Sequence, residues 1–150
     1  MPHSFVCQYM HCVFSTKGRQ RMITARLQER LWPYIGGIAR ENRMTAVVVN
    51  GVADHVHVLL ALPSTIAIAK AMQLIKGGSS KWIRETFPEQ RMFAWQEGYG
   101  AFSVSVSQLD KTIAYIENQA EHHRTKSFQE EFLAFLKRHR IGYDERYIWD

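Results

Sequence analysis

His55 and His57 are the first residues in this sequence that could do chemistry together. They lie in the run Asp54-His55-Val56-His57-Val58-Leu59-Leu60, which reads as a strand, and side chains alternate along a strand. His55, His57, Leu59 and Ala61 therefore share one face. Val56, Val58, Leu60 and Leu62 share the other, which is wholly apolar and reads as core. Two imidazoles side by side on a rigid strand make half of a metal site. The competing reading of an isolated His-x-His is a pair of ordinary half-buried histidines. Asp54 is either a turn residue before the strand or a partner that orients one imidazole from behind. A second pair lies far downstream, on a helix expected from Ser107 to about His122. There Leu109, Ile113, Ile116 and Ala120 form the buried stripe. Tyr115 and Gln119, at i and i+4, fall together on roughly the opposite side, with Lys111 and His122 nearby. A phenol and a carboxamide oxygen are thus presented as a unit.

The elements that must position these residues follow from patterning. Phe5 to Phe14 reads as a strand, rich in Phe, Val, Tyr and Cys, and leads into a basic loop, Ser15 to Arg21. Thr24 can cap a helix whose Leu27, Leu31, Tyr34, Ile35 and Ile38 recur at helical spacing. Pro33 and Gly36-Gly37 predict a kink or break in it. Met44 to Val52 is a β-branched strand joined by a tight turn to the histidine strand, His55 to Leu62, as a hairpin. A helix follows with Ile68, Met72 and Ile75 inward. It is expected to break or bend at Gly77-Gly78-Ser79-Ser80 and to resume from Lys81 to Phe87. Phe93 to Val106 suits a fourth strand bent at Gly98-Tyr99-Gly100. Ser107-Gln108-Leu109-Asp110 and Ser127-Phe128-Gln129-Glu130 read as capping boxes. An aromatic tail from Gly142 to Asp150 packs on the domain or on a partner.

The order β-α-β-β-α-β predicts an α+β fold of the ferredoxin-like, split βαβ kind. It has a four-stranded antiparallel sheet with helices on one face and extra C-terminal helices. All 150 residues are expected in a single domain, with residues from about 124 onward forming a C-terminal helix and tail. No apolar run approaches the roughly 18 residues of a membrane span, and Met1-Pro2-His3-Ser4 has no signal-peptide layout. Cys7 and Cys12 fall on opposite faces of a strand, which argues against a disulfide between them. A reducing cytoplasm is the expected location. The 19 Lys and Arg against 14 Asp and Glu give a net charge of +5, concentrated between Lys17 and Arg43 and again from Lys70 to Arg91. Such surfaces suit a nucleic-acid backbone, or are simply solvated. Trp82 and Trp95 are the tryptophans that could stack on unpaired bases, against a plain core role.

His-hydrophobic-His on a strand, with Tyr115-Ile116-Glu117-Asn118-Gln119 on a later helix, resembles the single-tyrosine HUH transposases. These are the insertion sequence 200/605 group and the related REP-associated tyrosine transposases. His11-Cys12-Val13-Phe14-Ser15-Thr16-Lys17-Gly18-Arg19 is similar to that family's first strand and basic loop, and Lys76-Gly77-Gly78-Ser79-Ser80-Lys81 to its middle segment. The resemblance implies that His55, His57 and Gln119 hold a divalent metal, Mg²⁺ or Mn²⁺, against a DNA phosphate. It implies that Tyr115 is the nucleophile, cleaving single-stranded DNA through a 5′-phosphotyrosine and allowing rejoining without ATP. It also implies recognition of DNA hairpins near element ends, and a homodimer. Lys17, Arg19, Lys76, Lys81 and Arg84 are the candidate DNA contacts. His11 could approach the site but suits a structural role, and His122 and His123 suit capping of the tyrosine helix. Two other functions compete. A histidine-triad nucleotide enzyme would need a third alternating histidine where Leu59 stands. A domesticated relative would bind structured nucleic acid without transposition activity.

Overall fold

Alternation in the strand segments builds the sheet at the centre of the molecule. In a computed structural model, which describes residues 3–149, β1 (Tyr9–Ser15), β2 (Thr45–Val52), β3 (His55–Ala61) and β4 (Gly100–Val104) form one antiparallel sheet. Its order is β2-β3-β1-β4. Helices α1 (Ala25–Glu41) and α2 (Ile68–Thr86) make the two crossovers, and α3 (Leu109–Glu117), α4 (Gln119–His122) and α5 (Phe128–Arg138) follow. This is the expected α+β arrangement, a four-stranded antiparallel sheet packed against helices with extra C-terminal helices. No helix among the described residues is long and apolar enough to cross a membrane.

The period of two divides the strands between two layers. Cys12 and Phe14 of β1 and Val56, Val58 and Leu60 of β3 point into a core closed by Leu27, Leu31, Ile35 and Ala39 of α1 and Ala71, Met72, Ile75 and Ile83 of α2. Val13 and Phe102 take the opposite face, where Phe128, Phe132, Phe135 and Leu136 of α5 pack on them. The register pairs Val13 with His57 and Ser15 with His55, so both histidines face the α5 layer. Gly100 permits that layer to sit close, because a Cβ there would meet Phe132 at 2.8 Å.

Several local expectations need correction, beginning with the first strand, which starts at Tyr9 and not at Phe5. Helix α1 runs unbroken through Pro33, Gly36 and Gly37; its buried stripe outweighs the hydrogen bond that Pro33 removes. Helix α2 is likewise continuous across Gly77 to Ser80. Gly78 is there for a close crossing, since a Cβ would lie 3.1 Å from Ile38 Cδ1. Ser79 is buried and accepts a hydrogen bond from Trp95 Nε1 at 2.9 Å. The fourth strand is shorter than Phe93 to Val106, because residues 93–99 leave the sheet apart from a single bridge between Trp95 and Thr16. Ser107 does not cap α3, which begins at Leu109 after a 3-10 turn; its hydroxyl bonds that of Ser105 instead. The capping box at Ser127 and Glu130 is present in both directions.

Candidate active site

The two strand histidines are fully buried, and each has one ring nitrogen held from behind. His55 Nδ1 lies 2.8 Å from Asp54 Oδ1, and His57 Nδ1 lies 2.7 Å from His11 Nε2. Asp54 thus touches a histidine as well as ending a turn, and His11 supports His57. Both Nε2 atoms turn toward one carboxylate, that of Glu131 on α5. His57 Nε2 is 3.0 Å and His55 Nε2 is 3.4 Å from Glu131 Oε1. His123 Nε2 comes within 3.2 Å of the same oxygen, while His123 Nδ1 sits 2.6 Å from the Lys126 carbonyl.

Helix α3 brings the phenol. Its last-turn carbonyls, on Ile116 and Glu117, accept hydrogen bonds from Asn50 Nδ2 of β2 at 3.0 and 3.2 Å. These are groups a helix end leaves without internal partners. Asn118 then breaks the expected long helix into α3 and α4. The break turns Gln119 inward, so that it is fully buried and Ala120 is exposed, the reverse of the placement expected for an unbroken helix. Gln119 Nε2 donates to the Tyr115 carbonyl at 3.3 Å, which aims Oε1 at His55 Nε2, also 3.3 Å away. The Tyr115 ring is half-buried between His122 and Phe135, with its centroid 6.0 Å from that of His57. Its hydroxyl donates to Glu131 Oε2. One carboxylate therefore spans the histidines with one oxygen and the phenol with the other.

Burial and these contacts set the charges. Burial works to raise the Glu131 carboxyl, but the close approach of the His123, His55 and His57 imidazoles outweighs it and holds the group well below the usual range. Burial alone would lower His55; bonds to Asp54 and Glu131 reverse this and raise it to about 8. For His57 burial prevails over Glu131 and lowers it to about 4. Burial, then the bond to the Glu131 carboxylate, pushes the Tyr115 phenol well above its ordinary value. With Glu131 in place the phenol keeps its proton.

His55, His57, Gln119 and Tyr115 are thus brought together within one chain. The basic candidates divide. Lys17 is exposed on a groove it shares with Trp95 and Trp149, and Arg19 donates to the Trp149 carbonyl at 3.2 Å with its guanidinium 5.5 Å from the indole centroid. A groove of about 590 Å³ runs past Arg19, Arg21 and Lys126 to Asp54 and His123. Lys76, Lys81 and Arg84 are on α2, across the sheet from the histidines. Lys76 Nζ donates to the Glu97 and Gly98 carbonyls at 3.0 and 2.7 Å, and Arg84 to the Phe93 carbonyl at 3.2 Å. Of the two tryptophans singled out for base stacking, Trp95 is buried, and Trp82 stacks on Tyr34 at 4.1 Å.

Glu131 and Asn50 were not anticipated, and His123 was expected only to cap a helix. The signal for Glu131 was present: it falls three residues after Phe128 and four before Phe135, a carboxylate inside an apolar helical stripe, where an unpaired charge is costly. Histidines 55, 57 and 123 with Glu131 form a cluster that could hold a metal ion, their nearest ligand atoms all within 4.8 Å of one another.

The family described as "Transposase IS200 like" matches residues 4–119. The ISDra2 transposase TnpA of Deinococcus radiodurans is 24% identical over 114 residues, covering 73% of this chain and 81% of that protein. The transposase for insertion sequence element IS200 of Salmonella typhimurium is 22% identical over 116 residues, covering 77% and 76%. Among solved structures, a Deinococcus radiodurans R1 protein described as a transposase superposes with a TM-score of 0.66 at 24% identity, over 78% of this chain and 94% of that one. A REP-associated tyrosine transposase bound to a REP hairpin gives 0.61 at 12% identity, over 81% and 72%. The matched family region ends at Gln119, so His123, Glu131 and all of α5 lie beyond it.

Proposed function

The chain belongs to the IS200-like transposase family, and from that premise we propose that it cleaves and rejoins single-stranded DNA through a 5′-phosphotyrosine on Tyr115. His55, His57 and Gln119 are the proposed ligands of a divalent metal, Mg²⁺ or Mn²⁺. Two imidazole nitrogens and one amide oxygen suit Mn²⁺ better than the harder Mg²⁺. Bound there, the ion would polarise a phosphoryl oxygen and offset the charge that develops as the ester bond breaks.

The observation that carries this reading is the position of the Glu131 carboxylate. One of its oxygens meets His57 Nε2 at 3.0 Å, and the other accepts from the Tyr115 hydroxyl. An oxyanion can therefore stand between the histidine pair and the phenol, which is where a scissile phosphate must stand. Tyr115 Oη would attack phosphorus as its proton leaves. The Tyr–O–P bond forms, the bond to the 3′ oxygen breaks, and that oxygen takes up a proton as the 3′-hydroxyl departs. Repeating the exchange with another 3′-hydroxyl rejoins the strand. Asn50 and Gln119 position the phenol and do not touch DNA. Glu131 must withdraw for the phosphate to arrive, which frees the Tyr115 hydroxyl from its hydrogen bond to that carboxylate.

A DNA hairpin is the proposed substrate, on the strength of the hairpin bound to the REP-associated relative. Lys17, Arg19, Lys76, Lys81 and Arg84 are its proposed contacts, in the cytoplasm. A homodimer through strand edges is compatible with the site but not required by it, since Tyr115 and both histidines come from one chain. The test is incubation with labelled hairpin DNA and Mn²⁺ or Mg²⁺. The expected product is a covalent 5′ adduct that resists denaturation and is absent from Tyr115→Phe. Adduct formation at full yield in that variant removes the nucleophile assignment. Hairpin binding with no adduct from the unaltered chain favours the domesticated, binding-only function.

A further inference from the structure

We propose that this chain also binds a transition-metal ion of the Zn²⁺ class in a closed four-donor site made of Nε2 of His55, His57 and His123 and Oε1 of Glu131. This goes beyond the cleavage reading, needs neither Tyr115 nor DNA, and uses two residues outside the matched family region. The first argument is the direction of the imidazoles. Asp54 Oδ1 and the Lys126 carbonyl can only accept, so Nδ1 of His55 and of His123 must carry the proton that each contact needs. The Nε2 atoms of those two rings, when neutral, then present lone pairs to an anionic oxygen 3.4 and 3.2 Å away. Lone pair against carboxylate is repulsive, so each contact must hold either a proton on the imidazole or a metal ion, and a metal ion can serve all three rings at once. His123 Nε2 shows this plainly: it is buried, it is close to Glu131, and it makes no hydrogen bond. His57 joins the set when its Nδ1 donates to His11 Nε2. Each ligating ring is then oriented from behind by its other nitrogen, as metal-bound histidines are.

The second argument is shape. With bonds of about 2.0–2.1 Å, the edges of a tetrahedral zinc site are about 3.3–3.4 Å. The separations from Glu131 Oε1 to the three Nε2 atoms are 3.0, 3.2 and 3.4 Å. Ligand atoms of the four residues all lie within 4.8 Å of one another, so the side chains must draw together to close around an ion. Three imidazoles and one carboxylate select a borderline ion over Mg²⁺, which prefers oxygen ligands and keeps several waters. The Tyr115 hydroxyl fixes the second Glu131 oxygen, which favours attachment through Oε1 alone. Because His55 and His57 serve both donor sets, an ion in the closed set and a DNA phosphate at Tyr115 exclude each other.

The experiment is titration of the metal-stripped full chain with Co²⁺, which absorbs strongly in the visible when tetrahedral and weakly when octahedral. The unaltered chain should give intense bands that saturate at one ion per chain. Glu131→Gln and His123→Ala should each lose them and weaken Co²⁺ binding by more than the roughly 10–100-fold caused by losing a mere orienting partner. Gln119→Ala should keep them. A weak octahedral spectrum, or bands unchanged in Glu131→Gln and His123→Ala, overturns the proposal, as does their loss in Gln119→Ala. Should either variant fail to fold, X-ray absorption on the Zn²⁺-loaded unaltered chain decides. Three imidazole nitrogens and one oxygen support the closed site, and two imidazoles with several oxygens overturn it. All of these readings are made without DNA. Failure of adduct formation would refute cleavage and leave the closed site standing, and a failed spectrum with a normal adduct would do the reverse.

Discussion

The two faces of the sheet are built on different principles. Against α1 and α2 the strands present Cys12, Phe14, Val56, Val58 and Leu60, an apolar surface packed on apolar helical stripes. Against α3, α4 and α5 the same strands present His11, His55 and His57, and the helices answer with Gln119, Glu131 and a half-buried Tyr115. A burial pattern normally reserved for hydrocarbon is filled there by groups that must each find a hydrogen-bond partner or an ion. One face holds the chain together. The other sets polar groups from five separate elements beside the apolar cluster of Val13, Phe102 and α5.

Two substitutions should separate the faces most sharply. His57→Ala removes a ligand common to both proposed donor sets, and a metal contributes several kcal/mol to such a transition state. Adduct yield should fall by about a hundredfold or more, while circular dichroism shows a folded chain. Full activity in that variant would end the metal reading of the histidine strand. Leu31→Ala, in the fully buried stripe of α1, should cost about 2–5 kcal/mol of stability. Denaturant unfolding measures this, and the adduct rate per folded molecule should be unchanged. A folded Leu31→Ala protein with a crippled rate would mean that the two faces are not separable.

The apolar face was legible because its signal is local. Leu27, Leu31 and Ile35 repeat at helical spacing, and Val56, Val58 and Leu60 alternate, so each element declares its own buried side. Gly78 misled for a related reason: a glycine pair reads as a break until the neighbouring helix that needs the space is known. The histidine face was legible only where a pattern lies within one element, as with His55 and His57 or the spacing of Tyr115 and Gln119, and even there the inward turn of Gln119 depends on the break at Asn118. Glu131 and His123 reach the histidines through the turn between α4 and α5, and no spacing rule links position 57 to position 131. Asn50 was hidden in the same way, since its role depends on where α3 ends.

Acidity should distinguish the faces next. In the metal-free protein His57 is lowered to about 4, against about 6.5 when unfolded. The unfolded chain therefore binds the extra proton between those values, and stability is lost as pH falls through that window. His11, lowered to about 3 chiefly by burial and then by His57, acts in the same direction. His55 has the opposite sign. Raised to about 8, it contributes stability that is complete below about 6.5 and is lost as pH rises through 8. Urea midpoints measured in chelator at pH 5, 6.5 and 8.5 should therefore peak near the middle value. A steady rise across all three would show that His55 gains nothing from Asp54 and Glu131. On the α1 and α2 side the resolved shifts are Cys12, raised by burial to about 12, and Lys76, lowered mainly by burial to about 8. Neither adds to the loss on the acid side.

The smallest expected effect concerns the outer surface of α2. Lys81 and Arg84 lie across the sheet from Tyr115, so if they meet DNA they meet the hairpin away from the scissile phosphate. Lys81→Ala combined with Arg84→Ala should then weaken hairpin binding and reduce the slope of log affinity against log salt by about 0.7–0.9 for each phosphate no longer neutralised. At saturating DNA the rate of adduct formation should not change, because neither side chain reaches the histidines or the phenol. Fluorescence anisotropy across a salt series supplies the slope, and a quenched time course supplies the rate. An unchanged slope would leave the α2 face with packing as its only work. A lowered rate at saturation would mean that DNA held on one side of the sheet helps to move Glu131 on the other.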